Sequence, residues 1–183
     1  MPIETEVKIR LLKLTELRNR LLLLSPVLIS ERHFEDNFVL DNAGGSLRNR
    51  TCLLRVRKTK GKESVTFKGP PLPSAQFKRR EELETEVINA DILLQIFAQI
   101  GLRIWFRYQK YREEFGHENV VVALDETPMG AFIELEGSEQ GIADLAARFG
   151  RTPAEYVLDS YRGLYVKHCE EHGMPIGDML FDE

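Results

Sequence analysis

The sequence predicts an α+β protein in which eight antiparallel strands close into a β-barrel and the helices pack on its outside. Three observations carry this expectation. Short segments that alternate apolar and polar residues with period two recur along the chain. Few helical segments separate them, which argues against the strand–helix–strand order of a doubly wound parallel sheet. In several segments one face is apolar and the other carries almost only charge, so a sheet rolled with its charged face inward would enclose a polar lumen and bury its apolar face under helices.

The first strand covers 2–11, with Ile3, Val7, Ile9 and Leu11 on one face and Glu4, Glu6, Lys8 and Arg10 on the other. Thr15 as N-cap, Leu17, Leu21 and Leu24 at helical spacing and Pro26 beyond them predict a helix over 15–24. Strands follow over 33–40 and 50–58 on either side of the Asp41-Asn42-Ala43-Gly44-Gly45 turn, and over 63–69 after the turn Lys60-Gly61-Lys62. The segment Gly69-Pro70-Pro71-Leu72-Pro73-Ser74 is a stiff loop. Alternation returns over 77–88, and Asn89 or Asp91 then caps a helix through Ile92, Leu93, Ile96 and Ile100, closed by Gly101. Segments 103–115 and 119–125 form a hairpin turning at Gly116-His117-Glu118, and 131–136 is the eighth strand. The remainder is helical: 138–149, a short turn opened by the capping box Thr152-Pro153-Ala154-Glu155, and a last helix over about 160–173, closed by Gly173.

The 183 residues read as a single domain, 1–183, and at 43% hydrophobic and 30% charged they are those of a globular protein, which excludes disorder as the main story. Lys and Arg number 25 against 29 Asp and Glu, so the net charge of -4 does not describe a polycation built for nucleic acid, and any phosphate-binding surface must be local. No apolar run approaches the roughly 20 residues of a membrane span, and 1–10 lacks the apolar stretch of a secretory signal; the expected location is cytoplasmic, with no membrane partner. Cys52 and Cys169 are too few for a disulfide framework and form no zinc-ribbon spacing.

A single Glu-x-Glu or Arg-x-Arg carries no information in a chain this charged, but the pairs here fall inside strands, where period two puts each pair on one face. Glu4/Glu6, Arg55/Arg57, Glu82/Glu84/Glu86, Lys110/Arg112 and Glu134/Glu136 are such pairs. With Lys8, Arg10, Lys68, Arg80 and Asp125 they assign eight acids and eight bases to one face. A merely solvated face of an open sheet would mix in more Ser, Thr and Gln. A lumen lined by both signs suits a polyanion bound together with a divalent metal, bases gripping phosphate oxygens while carboxylates hold Mg²⁺ or Mn²⁺.

These residues resemble the CYTH superfamily, the triphosphate tunnel metalloenzymes, which include class IV adenylyl cyclases, thiamine triphosphatases and inorganic triphosphatases. Glu4-Thr5-Glu6-Val7-Lys8 is similar to the E-x-E-x-K signature. The likeness continues in order through Leu54-Arg55-Val56-Arg57, Thr66-Phe67-Lys68-Gly69-Pro70, Arg80-x-Glu82-x-Glu84, Lys110-x-Arg112, Leu124-Asp125 and Gly130-x-Phe132-Ile133-Glu134-Leu135-Glu136. Asp159-Ser160-Tyr161 before the last helix resembles the S-Y of class IV cyclase-like members. The resemblance implies an eight-stranded triphosphate tunnel in which Glu4, Glu6, Glu134 and Glu136 are metal ligands for Mg²⁺ or Mn²⁺, with Asp125, Glu82 and Glu84 as further acidic or outer groups. It implies that Lys8, Arg55, Arg57, Lys68, Arg80, Lys110 and Arg112 bind the triphosphate.

The expected activity is hydrolysis of a triphosphate: tripolyphosphate, thiamine triphosphate or a nucleoside triphosphate such as ATP. Glu4 and Glu6 would act through the metal, and Lys8 would assist as a base if its neighbours depress its pKa. A second reading is class IV cyclase chemistry, converting ATP to cyclic AMP and pyrophosphate in the same lumen. A third is a non-catalytic binder of polyphosphate or RNA, suggested by the seven bases and no acid between Arg48 and Lys62. Nucleic acid is otherwise not the expected partner, and a homodimer is compatible with the reading. Weaker signals are His168 and His172 at i,i+4 beside Cys169, which read as a charged helix face before they read as a zinc site, and Trp105, Phe106, Tyr108 and Tyr111, which read as strand packing with one placed to stack on a base at a tunnel mouth. Gly61-Lys62-Glu63-Ser64 lacks the earlier glycine of a P-loop.

Overall fold

A computed structural model describes residues 3–182 of the protein. Eight strands form one closed barrel in the order β1-β5-β4-β3-β2-β6-β7-β8, with every neighbouring pair antiparallel and β8 returning to β1. In chain order these are β1 (Ile3–Leu11), β2 (Val27–Asn42), β3 (Leu53–Thr59), β4 (Lys62–Lys68), β5 (Lys78–Glu86), β6 (Leu102–His117), β7 (Val120–Thr127) and β8 (Gly130–Gly137). Four helices accompany them: α1 (Leu14–Leu22), α2 (Ala90–Gln99), α3 (Glu139–Arg148) and α4 (Tyr161–His172).

The apolar parity of the strands builds the core on the outside of the barrel. Val7 and Ile9 of β1, Val122 and Leu124 of β7, and Ile133 and Leu135 of β8 are buried against Leu17 and Leu21 of α1 and Ile142, Leu145 and Ala146 of α3. Arg20 ties these two helices together, its guanidinium donating to the terminal carbonyls of Arg148 and Phe149 at 3.0 Å each. On another side Leu40, Val56 and Ala90, with Leu54, Leu93, Leu94 and Phe97, form a smaller core under α2. A third core lies where the lumen itself turns apolar: Phe106, Tyr108 and Phe132 meet Tyr161, Leu164, Tyr165 and Cys169 of α4. Helix α4 thus stops one end of the barrel.

The segments flanking α4 are stitched into the sheet where neighbouring strands fall short. Val157 exchanges two backbone hydrogen bonds with Lys8, beyond the last residue of β1 that pairs with β5. Met179 bridges Tyr108, ahead of the first residue of β6 that pairs with β7, and is fully buried. The sequence pattern held no sign of either bridge, since neither segment alternates.

Several boundaries differ from expectation. Strand β2 begins at Val27, not 33, because its first residues pair with Glu114–Gly116 through register shifts while Val27, Leu28 and Ile29 remain exposed, leaving no alternation to read. Helix α1 starts one residue before Thr15 with Lys13 at the N-cap position and no side-chain cap, and ends before Ser25, whose φ of 51° breaks it. Strand β3 starts at Leu53 because Arg48–Arg50 forms a 3-10 turn followed by Thr51 at φ 54°. Asp41 fixes that turn by accepting from the amides of Leu47 and Arg48 and from the Arg48 guanidinium. Of the two expected caps for α2, Asn89 is the one used, accepting from the Ile92 amide; Ser138 and Ser160 cap α3 and α4 in the same way, from the amides of Gly141 and Gly163, and the capping box at Thr152 is formed.

Candidate active site

Period two delivers the charged parity of the strands to the lumen, a cavity of about 480 Å³. Its wall includes Glu4, Glu6 and Lys8 from β1, Arg55 and Arg57 from β3, Lys68 from β4, Arg80, Glu82 and Glu84 from β5, Lys110 and Arg112 from β6, and Glu134 and Glu136 from β8. Asp125 of β7 lies behind the wall, fully buried. Its carboxylate accepts from Lys110 at 2.9 Å, from Arg112 at 2.7 and 2.6 Å, and from the Tyr161 hydroxyl at 2.5 Å. With those partners in place Asp125 aims Lys110 and Arg112 into the lumen and anchors α4. Arg10 and Glu86, assigned to the same face by parity, do not reach the cavity: Arg10 donates to the Met129 carbonyl and covers the Phe132 ring at the stoppered end, and Glu86 pairs with Lys62 in solvent.

The carboxylates fall into two groups with opposite electrostatics. Burial pushes Glu6 and Glu134 up, but their cations outweigh it and hold both well below the usual carboxylate range: Lys8 and Lys78 for Glu6, Lys8 and Arg112 for Glu134. Lys8 sits 3.1 Å from Glu6 and 3.2 Å from Glu134. Glu4 and Glu136 go the other way. Burial lifts Glu4 to about 8, with the charges of Glu6 and Glu82 adding to it and Lys68 opposing, and burial likewise raises Glu136. Lys68 lies 2.5 Å from Glu4 and 2.9 Å from Glu82, so one ammonium serves several acids. This part of the wall is short of positive charge, and a set of oxygen donors in that condition fits a hard divalent cation such as Mg²⁺ or Mn²⁺. Among the described residues no three His, Cys, Asp or Glu side chains stand in a ready-made coordination cluster, since the carboxylates turn toward lysines.

The lysines also separate. Burial lowers Lys8, but Glu134 and Glu6 more than reverse this and raise it, so Lys8 is held as a cation and the condition for a basic role is not met. Lys78, 2.6 Å from Glu6, is the lysine held below its ordinary value, by burial and then by the charge of Lys8. Among the arginines, Arg55 donates to Thr66 Oγ1 at 3.0 Å and to the Tyr108 hydroxyl at 3.3 Å, while Arg57 is held by Asn37 and Glu35. Arg80 and Arg162 make no ion pair among the described residues, and each has a buried guanidinium nitrogen with no partner.

Several wall residues were not singled out from sequence. Lys78 and Glu114 share the parity of Arg80 and Arg112, so their signal was present; Arg162 comes from the start of α4, one residue past the Ser160-Tyr161 pair, and Arg48 and Thr51 from the 3-10 turn, where no periodicity marks them. Beside them Val39, Leu53, Trp105 and Phe106 give part of the wall an apolar, aromatic character, with the Arg48 and Arg162 guanidiniums 4.6 and 5.5 Å from the Trp105 ring. The lining holds ten cations against seven carboxylates, a correction to the expected balance of eight and eight. The His168 and His172 rings lie 4.2 Å apart, tilted at 38°, and join no metal cluster among the described residues, and Cys169 is buried in the core.

The comparisons with known proteins agree with this geometry. A candidate adenylate cyclase of Methanocaldococcus jannaschii is 28% identical over 137 residues, covering 74% of this chain and 77% of that protein. A solved candidate adenylate cyclase from Vibrio parahaemolyticus superimposes with a TM-score of 0.80 at 19% identity, covering 90% of this chain and 98% of its own. A candidate adenylyl cyclase from Hippeastrum, described as having a dominant triphosphatase activity, does so with a TM-score of 0.69 at 19% identity, covering 92% of this chain and 96% of its own. Residues 2–152 match the CYTH domain, and with the closed eight-stranded barrel and its charged lumen this makes the chain a member of the CYTH domain family.

Proposed function

We propose that the protein is a divalent-metal-dependent triphosphate phosphohydrolase that binds its substrate inside the barrel. The observation that carries this is a wall of both signs with a surplus of cations, in which Arg80 and Arg162 have no carboxylate partner among the described residues. A triphosphate supplies the missing acceptors. Arg55, Arg57, Lys68, Arg80, Lys110 and Arg112 bind its oxygens, and Lys8, kept protonated by Glu6 and Glu134, donates to the phosphoryl group under attack. Glu4 and Glu136, with Glu6 and Glu134 beside them, would hold Mg²⁺ or Mn²⁺, which when bound offsets phosphate charge and eases deprotonation of water. In hydrolysis, water attacks the terminal phosphorus, the bond to the bridging oxygen breaks, and the cations hold the two-phosphate leaving group.

A second reading, cyclisation of ATP, is favoured by the aromatic part of the wall, because the half-buried Trp105 offers a ring surface that a bare tripolyphosphate would not use. The third, a polyphosphate or RNA binder, loses its basic stretch: Arg55 and Arg57 face the lumen, Lys58 pairs with Asp91 and Lys62 with Glu86.

The test is incubation with Mg²⁺ or Mn²⁺ and, separately, tripolyphosphate, thiamine triphosphate and ATP, with the products resolved. Orthophosphate without cyclic AMP is expected. Cyclic AMP with pyrophosphate would overturn hydrolysis in favour of cyclisation, and salt-sensitive binding without turnover would overturn both. Glu136→Gln is expected to lower turnover at least ~100-fold at limiting metal while the circular dichroism spectrum is kept; near-normal activity would remove Glu136 from the ligand set.

A further inference from the structure

Two hydroxyl groups share one guanidinium in the wall of the lumen. Arg55 donates to Thr66 Oγ1 at 3.0 Å and to the Tyr108 hydroxyl at 3.3 Å. The two acceptors differ in the use of their own protons. Thr66 donates onward to Glu84 at 2.6 Å and is satisfied. The Tyr108 hydroxyl has no acceptor among the described residues, although its side chain is almost wholly buried. A hydroxyl carries a donor as well as lone pairs, so a buried phenol that only accepts keeps one hydrogen bond in hand.

The fold fixes where that donor lies. Along β6 period two puts Phe106, Tyr108, Lys110 and Arg112 on one face, and all four line the cavity. Tyr108 stands where the aromatic part of this face meets the cationic part. Its ring is stacked on Phe106 at a centroid distance of 5.6 Å, and its backbone is bridged to Met179, so the phenol is held in place. Burial pushes the phenol up, but Arg55, Arg57 and Lys110 outweigh it and hold it below its ordinary value. Cations around a phenol, and a guanidinium donating to its oxygen, polarise the O–H and strengthen it as a donor.

We propose that Tyr108 is a substrate-contacting residue whose hydroxyl donates a hydrogen bond to the phosphate that Arg55 binds. The inference rests on the triphosphate reading above and adds to it a neutral donor that the charge pattern does not reveal. Arg55 reaches the phosphate through guanidinium hydrogens that Thr66 and Tyr108 do not use, and Tyr108 reaches a second oxygen of the same phosphate. The proton stays on the phenol throughout, so the contact holds the phosphate in place and draws off part of its charge.

The test is calorimetric binding, in Mg²⁺, of a methylene-bridged analogue of tripolyphosphate that resists hydrolysis. Tyr108→Phe keeps the ring and removes only the oxygen; it is expected to weaken binding by about 10- to 100-fold with the circular dichroism spectrum kept. Tyr111→Phe, in which the ring packs against Phe34 and Phe181, is expected to bind as the wild type does. A direct contact is separated from a hold on Arg55 by repeating Tyr108→Phe in an Arg55→Gln background, where a further loss of affinity is expected. Wild-type affinity in Tyr108→Phe would overturn the proposal, and so would the absence of any further loss in the Arg55→Gln background. Failure of the wild type to bind the analogue would remove the triphosphate reading and the contact with it. Binding that Tyr108→Phe weakens, in a wild type that does not turn over tripolyphosphate, would remove hydrolysis and support the contact.

Discussion

Glu4 and Glu6 lie two residues apart on one face of one strand, yet their surroundings push them in opposite directions. Glu4, lifted to about 8 by burial and then by neighbouring acids, binds a proton in the folded chain that the unfolded chain has released above about 4.5. Its contribution to stability is therefore full below about 4.5 and is lost as pH rises through 8. In metal-free protein, Glu4→Gln is expected to gain on wild type between pH 5 and pH 9 by on the order of 5 °C in Tm; parallel melting curves across that range would contradict the assignment. Glu6 is held ionised against its burial by Lys8 and Lys78, so its contribution is present above about 4.5 and lost as pH falls below it. Glu6→Gln leaves two buried ammoniums short of a partner and is expected to cost about 3–5 kcal/mol in urea unfolding at neutral pH. A change under ~1 kcal/mol would mean that water reaches the pair.

At the scale of elements, the strands that alternate were legible and the segments that do not were hidden. Parity put Glu4, Glu6, Arg55, Arg57 and Glu134 on the correct face because each strand has its other face in a core. It overreached at Arg10, where the lumen is stoppered by Phe132 and α4, and at Glu86, where the strand runs past the barrel. It was silent about Arg162, since a helix start carries no period-two signal, and about Met179, which joins β6 through one bridge. Met179 nonetheless fills the core between α4 and β6 and is fully buried. Met179→Ala is expected to cost about 2–5 kcal/mol, measured by chemical denaturation. Because α4 presents Tyr161 and Arg162 to the cavity, the same variant should also raise KM for the triphosphate; a stability loss with KM unchanged would detach the tail from the site.

For the whole molecule, the sign of the net charge misleads. The chain carries -4, but its lining carries ten cations against seven carboxylates, so the acidic total describes the exterior and not the lumen. A small polyanion is drawn to the lumen while a large one meets a repelling outside. Fluorescence anisotropy with a single-stranded RNA oligomer at physiological salt is expected to show no binding, and tripolyphosphate is expected to bind with an affinity that falls as salt rises. RNA binding displaced by tripolyphosphate would instead place a strand end within the tunnel.

The alternation of faces also sets which changes in chain length the protein can absorb. Along β1 Glu4, Glu6 and Lys8 face the lumen while Val7, Ile9 and Leu11 face the core, so removing Val7 would turn Lys8 toward α1 and Ile9 toward the lumen. A substitution in a strand of this barrel forfeits one group, whereas a one-residue deletion exchanges interior and exterior for every residue beyond it. Tolerated deletions and insertions are thereby confined to the turns, such as the exposed link at Lys60 and Gly61 between β3 and β4.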